Sequence, residues 1–315
     1  MQTLLYVDET RLLPATDPLT RQIHIGCGCF IETLAIGAST LGYGTTIEEF
    51  PEGMYGFEAL GSKPVARITL TGQPAMAQDG LAGYIYRRQT NRLPFTGKIQ
   101  VSDKEFSMLD KSAADEHVQF VGINDKRRMN LLLDIFERAM VIECNSCDRY
   151  DETRVWFRFS RKEEEQKRDG LSLPQIGVTG LQVPVLEWYL KHGDPDRWHN
   201  KTSKNAYLSD FRKSLASAQG LLLLKTRNNT QADWIKAGRV YARVGLAAAK
   251  LGFSMHPYSQ VLQEYPEMSC LQSEFNKLLS ITGEEKVQMA VRIGRGSAPS
   301  YSYRRNLESF IKVGF

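Results

Sequence analysis

No stretch of this 315-residue chain approaches the roughly 18 consecutive apolar residues of a membrane-spanning helix, so no contact with a membrane is expected. The N-terminus lacks a basic segment followed by an apolar core, and no secretory signal is expected. Cysteine is scarce and odd in number, with five at positions 27, 29, 144, 147 and 270. That argues against a disulfide framework and for a reducing, cytoplasmic setting. Excess charge is lacking too: 40 basic and 36 acidic residues leave a net +4, too balanced to imply a nucleic-acid partner. There is no Gly-x-Ser-x-Gly elbow, and none of the five histidines is flanked as in a catalytic triad, which leaves hydrolase chemistry without support. The glycines of GYGTTIEEF have the spacing of neither a dinucleotide fingerprint nor a phosphate loop. Four thiolates, CGC (27, 29) with CNSC (144, 147), could be set against zinc, but Cys-x-Cys is a poor first half of such a site, and buried, inert thiols are the better reading.

The sequence does contain a repeat. Residues 28–50, GCFIETLAIGASTLGYGTTIEEF, align without a gap on 238–260, GRVYARVGLAAAKLGFSMHPYSQ, at an offset of 210. Gly28 meets Gly238, Leu34 meets Val244, Ala38 meets Ala248, and Leu41-Gly42-Tyr43 meets Leu251-Gly252-Phe253. Apolar residues at i, i+4, i+8 and i+11 predict one helix face in each copy, ended by a glycine able to take the left-handed cap. Small residues in the middle (Ala35, Gly37, Ala38; Gly245, Ala247, Ala248) would let another helix approach closely. A chance match between two Ala-rich helices competes with the reading of two related halves.

Around these helices the pattern predicts strands at 2–7, 65–71, 118–123, 220–226 and 286–296, the last with Val287, Met289, Val291 and Ile293 on one face. A helix is expected from about Gly80 to Pro94, another behind a Ser102/Glu105 capping box, and a long one capped by Asn124. Asp233 is expected to cap the second repeat helix, 160–170 to form a solvated helix face, and 190–205, with His192, Asp194, Asp196 and His199, to be an exposed loop. Helices and strands alternate without a βαβ rhythm, which predicts an α+β fold.

One segment carries chemistry. Arg87-Arg88-Gln89-Thr90-Asn91-Arg92 places forked guanidinium donors and a hydroxyl close together, a set suited to a phosphate monoester. A second basic pair, Arg304-Arg305, follows late in the chain.

RRQTNRLPF resembles the Arg-x-Ser/Thr-x-Arg/Lys signature of nitroreductase-type flavoproteins. The run W-x-x-A-G-R-x-x-x-R-x-x-L-A-A-x-x-x-G-F (234–253), then MHPYSQ, VRIGRG and YRRNLE, follows in that family's order. Together these make the chain similar to the Acg-type branch of the superfamily, in which one chain imitates the usual dimer. The resemblance implies a nitroreductase-like fold in two entwined halves, 1–78 and 79–315, the second carrying one FMN. Residue by residue it implies Arg88, Gln89, Thr90 and Arg92 at the phosphate and ribitol, with Arg304 and Arg305 reaching the same phosphate. Pro257, Tyr258, Ser259 and Gln260 would lie beside the isoalloxazine. The implied function is NAD(P)H-linked reduction of a small-molecule acceptor such as a nitroaromatic or quinone, with no catalytic side chain and no metal. The alternative is a protein that stores or sequesters FMN with little turnover; a third is an interaction protein that has lost its flavin. The chain would be a pseudo-dimeric monomer or pair into a further homodimer.

The sequence departs from the family in two ways. Members carry an Ala-Pro-Ser…Asn…Gln-Pro-Trp segment before the first strand, where this chain begins, which implies a shortened sequence or a more open pocket. The first-half counterpart of MHPYSQ is TTIEEF, whose Glu48 and Glu49 would discourage a second anionic cofactor.

Overall fold

Two β-α-β-β modules with the same strand order frame the molecule. The computed structural model describes residues 1–73, 77–113, 115–178, 180–191 and 196–312. The first module comprises β1 (Gln2–Leu5), α1 (Arg21–Ser39), β2 (Tyr43–Glu49) and β3 (Ala66–Gly72), its antiparallel sheet ordered β1-β3-β2. Between the modules lie α2 (Asp103–Ala113), β4 (Val118–Ile123), α3 (Lys126–Asn145), α4 (Cys147–Val155), β5 (Phe157–Arg158), α5 (Arg161–Lys167), β6 (Leu171–Ser172), α6 (Gln182–Lys191), α7 (Asp196–His199) and α8 (Lys201–Ala216). The second module is β7 (Gly220–Thr226), α9 (Gln231–Lys250), β8 (Ser254–Pro257) and β9 (Lys286–Gly294), with α10 (Ser269–Leu278) inserted before its last strand. Its sheet runs β4-β7-β9-β8, all antiparallel, so β7-β9-β8 repeats the order β1-β3-β2 with β4 added at the edge. The class is mixed α+β. Among the described residues, no helix is long and apolar enough to cross a membrane.

Period-two alternation puts β7 in two cores at once. Leu222 and Leu224 pack with Val240, Val244 and Leu246 of α9, while Leu221 and Leu223 pack with Leu132, Phe136 and Leu215 of α3 and α8. The four-stranded sheet is therefore buried on both faces. The smaller sheet packs Ile68 and Ala66 against Ile31 of α1 and Ile235 of α9.

The two long helices cross where the repeat places its paired glycines. A Cβ on Gly28 would collide with the carbonyl oxygen of Ile235, and one on Gly238 with that of Ile25. The clash is reciprocal at the 210-residue offset, the pattern of a two-fold axis in which residue i meets j and j meets i. Both helices end in the same way: Gly42 (φ 74°) and Gly252 (φ 75°) take the left-handed conformation that lets the chain turn into β2 and β8.

Several expectations need correction. Residues 80–94 form only a short 3-10 turn (Ala82–Tyr84); the N–H groups of Arg87 and Arg88 still reach Tyr84 O (3.0 and 2.9 Å), and Asn91 N–H then goes to Met255 O of β8. The cap of α3 is Asp125, whose carboxylate accepts from Arg128 N–H (2.8 Å), while Asn124 donates to Val101 O and Asp103. Thr230 caps α9, and Asp233 is its capping-box partner three residues on. Residues 196–199 and 201–216 are helical, with Asn200 capping α8; His199 meets Asp151 (2.7 Å), and His192 and Asp194 lie outside the described residues. In β9 a bulge at Gln288 interrupts the pairing, so Val287 falls in the core of α3 and α10, while Val291 and Ile293 fall in that of α9. One extra residue exchanges the faces of a strand. The Ser102/Glu105 box and the solvated α5 are as expected.

Candidate anion-binding cavity between the two long helices

Asn91 organises the arginine segment. Fully buried, it takes a backbone bond from its own N–H to Met255 O (2.9 Å), donates through its amide to Ser254 Oγ (3.2 Å) and Ser297 O (2.9 Å), and accepts from Leu93 N–H (3.0 Å). Thr90 forms a parallel bridge to Met255, so the segment runs as an extra strand fragment along β8. Arg292 of β9, also fully buried, completes the clamp: its guanidinium donates to Asn91 O (3.1 Å), Leu93 O (2.7 Å), Ser214 O (2.8 Å) and Ser217 Oγ (2.8 Å). Its partners are neutral, and burial lowers its pKa to about 10. A buried cation satisfied by carbonyls fixes backbone geometry and leaves the neighbouring arginines free of structural duty.

Held in this way, the segment walls a cavity of about 360 Å³. Arg87, Arg88, Gln89 and Thr90 form one side; Tyr241, Ala242, Gly245 and Ala249 of α9 form the floor; Cys29 and Thr33 of α1 close the far end. Phe253 and Met255 add an apolar edge with Ser254 between them, and Gly296 and Ala298 reach in from the C-terminal tail. Gly245 is needed there: a Cβ would press on the Arg88 stem at 3.2 Å.

The lining holds, among the described residues, two guanidinium groups and no carboxylate. Among the described residues, neither Arg88 nor Arg92 takes part in an ion pair. Burial pushes the Cys29 thiol up to about 12 and the Tyr241 phenol to about 12, against an opposing pull from Arg88, so both stay neutral at pH 7. Cys29 donates its S–H to Gly238 O (3.2 Å). Burial lowers Arg92, and burial with the charges of Arg292 and Arg92 drives His256 well below its usual range, so His256 is neutral and accepts from Arg292 Nε (3.3 Å). The cavity is thus uniformly positive, a field that favours an anionic ligand.

The structure brings Arg88, Gln89 and Thr90 together at this cavity. The other expected site residues stand outside its lining. Tyr258 is buried against Phe136, Phe211 and His256, with its hydroxyl on Ser214 Oγ (3.2 Å). Pro257 ends β8, Ser259 precedes a 3-10 turn, and the Gln260 amide lies beside buried Glu143. Arg304 binds Ser302 Oγ (2.6 Å), and Arg305 pairs with Asp8 (3.2 Å). Motif reading missed Cys29, Thr33 and Tyr241. Their signal was the small face of the repeat helices, which leaves room beside α9 for a ligand.

No protein-family model matches the sequence. The uncharacterized proteins Rv3127 (strain H37Rv) and MT3212 (strain CDC 1551) of Mycobacterium tuberculosis are each 29% identical over 317 residues, covering 98% of this chain and 83% of each relative. Solved structures to which the chain is similar are nitroreductase-fold proteins. They include the FMN and NADPH-dependent nitroreductase NfnB from Sphigopyxis sp. strain HMH (14% identity, TM-score 0.46, covering 75% of this chain and 100% of that one). A nitroreductase with bound FMN from Desulfitobacterium hafniense DCB-2 scores 0.45 at 12% identity, covering 76% of this chain and 100% of that one.

Proposed function

We propose that the chain is an FMN-dependent oxidoreductase of the nitroreductase type, a fused pseudo-dimer with one cofactor per chain. The observation that carries this reading is the cavity at the seam of the two modules, where Arg88, with no carboxylate partner among the described residues, stands beside Gln89 and Thr90 on a segment fixed from behind by Asn91 and Arg292. The fit to FMN rests on the donor set: forked guanidinium N–H groups and a hydroxyl suit a phosphate, and Phe253, Met255 and Ala249 offer an apolar surface for a flat ring. The volume lies within the range of small-molecule cofactor sites, roughly 300–1,000 Å³.

Arg88, Gln89 and Thr90 would hold the phosphate and ribitol. Arg92, Arg304 and Arg305 would supply further positive charge nearby, and the backbone of Pro257 to Gln260 would border the ring side. Flavin supplies hydride and electron transfer when bound. The chain's own contribution is to bind, orient and exclude water, which agrees with neutral Cys29 and Tyr241 on the walls. The electron donor is NADH or NADPH, the acceptor a nitroaromatic, quinone or similar small molecule. The repeated β-α-β-β order and the reciprocal Gly28–Gly238 crossing support the fused-dimer reading and its halves, 1–78 and 79–315.

The test is spectroscopic. Purified protein supplied with FMN is expected to keep a flavin absorption band and to bleach anaerobically on addition of NADH or NADPH. A band that neither nucleotide bleaches would point to storage of the cofactor; protein that retains no flavin would remove the reading.

A further inference from the structure

The 210-residue offset assigns a mate to each helix residue of the cavity. Tyr241, Ala242, Gly245 and Ala249 of α9 map onto Ile31, Glu32, Ala35 and Ser39 of α1; Cys29 and Thr33 of α1 map onto Arg239 and Arg243 of α9. The mate position therefore holds two arginines where the cavity has small neutral residues, and a carboxylate where the cavity has alanine.

The structure fills that position with the chain itself. Glu32, 5% exposed, bonds Arg239 Nε (2.9 Å) through one oxygen and Arg243 Nη1 (2.8 Å) through the other. Asp79, from the segment joining the modules, adds its Oδ2 to the same Arg243 Nη1 (3.0 Å) and accepts from Leu81 N–H (2.8 Å) through Oδ1. Its backbone N–H donates to buried Ser39 Oγ (3.0 Å), and Arg243 Nε donates to Ser112 O (3.2 Å).

We propose that this network is a second anion site, closed by the chain's own carboxylates, with Glu32 and Asp79 occupying the arginines that would otherwise bind an oxyanion such as phosphate. The two symmetry-related positions then differ by design: one cavity is left positive and open, while its mate carries its counter-charge built in. One anionic ligand per chain follows from this arrangement, independently of Glu48 and Glu49. The inference rests on the repeat reading above but not on flavin.

The experiment uses inorganic phosphate as the probe, titrated by 31P line broadening into the full-length chain. To remove the first cavity's contribution, the parent is Arg88→Ala. Adding Glu32→Gln with Asp79→Asn, near-isosteric changes that keep an acceptor at each place, is expected to add one phosphate site per chain. Further addition of Arg243→Met is expected to abolish that gain. A folded variant, verified by cooperative melting, that binds no more phosphate than its parent overturns the proposal, as does a gain that survives Arg243→Met. If the combined variant fails to fold, Asp79→Asn alone is titrated: a weaker but Arg243-dependent gain supports the proposal, and no gain overturns it. Loss of FMN binding in the unmodified chain would defeat the flavin reading while leaving this result intact.

Discussion

Glu143, near the end of α3, has a fully buried carboxyl beside Gln260 and Gln263 and, among the described residues, no ion pair. Burial raises its pKa to about 7, above the ordinary 4.5. Among the described residues, the carboxyl oxygen Oε2, both neighbouring amide oxygens and the Tyr265 hydroxyl lack hydrogen-bond partners, so the pocket suits a donor better than an anion. The unfolded chain releases this proton first, so stability is lost as pH rises from about 4.5 to about 7 and is level above that. At about 1.4 kcal/mol per pKa unit, the loss is about 3 kcal/mol at most. Glu143→Gln, whose amide can donate to Gln260 and Gln263, is therefore expected to stabilise the protein at pH 8 by about 1–3 kcal/mol and hardly at all at pH 4.5. Denaturant unfolding at the two pH values checks this; an equal effect at both would contradict it.

At the scale of elements, α1 and α9 depend on bare backbone at their crossing. Gly238→Ala would set a methyl against Ile25 O and Gly28→Ala one against Ile235 O, so each is expected to cost about 3 kcal/mol, read as a lowered unfolding midpoint. These helices were legible in the sequence because their apolar spacing is local and their terminal glycines meet a local demand. The Arg87–Arg92 segment was legible as chemistry but not as structure. Helical bonding reaches only as far as Arg88 N–H on Tyr84 O, and beyond it the segment is shaped by the remote clamp of Asn91 by Arg292. The bulge in β9 was hidden for a similar reason. Gln288 is drawn out of register by Thr226 and Asn229 and by Arg21, partners far away in the chain. The cavity walls Cys29, Thr33 and Tyr241 were unreadable singly, since each belongs to the site only through the contact of two helices.

For the whole molecule, the repeat explains why a positive cavity lies at the seam. Two modules of the same order meet through α1 and α9, and the arginine segment of the stretch that joins them is clamped at the junction by β8 and β9 of the second. Arg88, one of two guanidinium groups on an otherwise neutral wall, is then expected to carry much of the affinity. Removing one charged hydrogen-bonding partner of a phosphate is expected to cost about 1.5–3 kcal/mol, roughly a 10- to 150-fold loss. The most direct measurement is an FMN titration of flavin-free protein, followed by quenching of flavin fluorescence, in the unmodified chain and in Arg88→Ala. One FMN per chain is expected, with affinity falling by that factor in Arg88→Ala. Absence of binding in the unmodified chain, or equal affinity in the two, would contradict the assignment of this cavity.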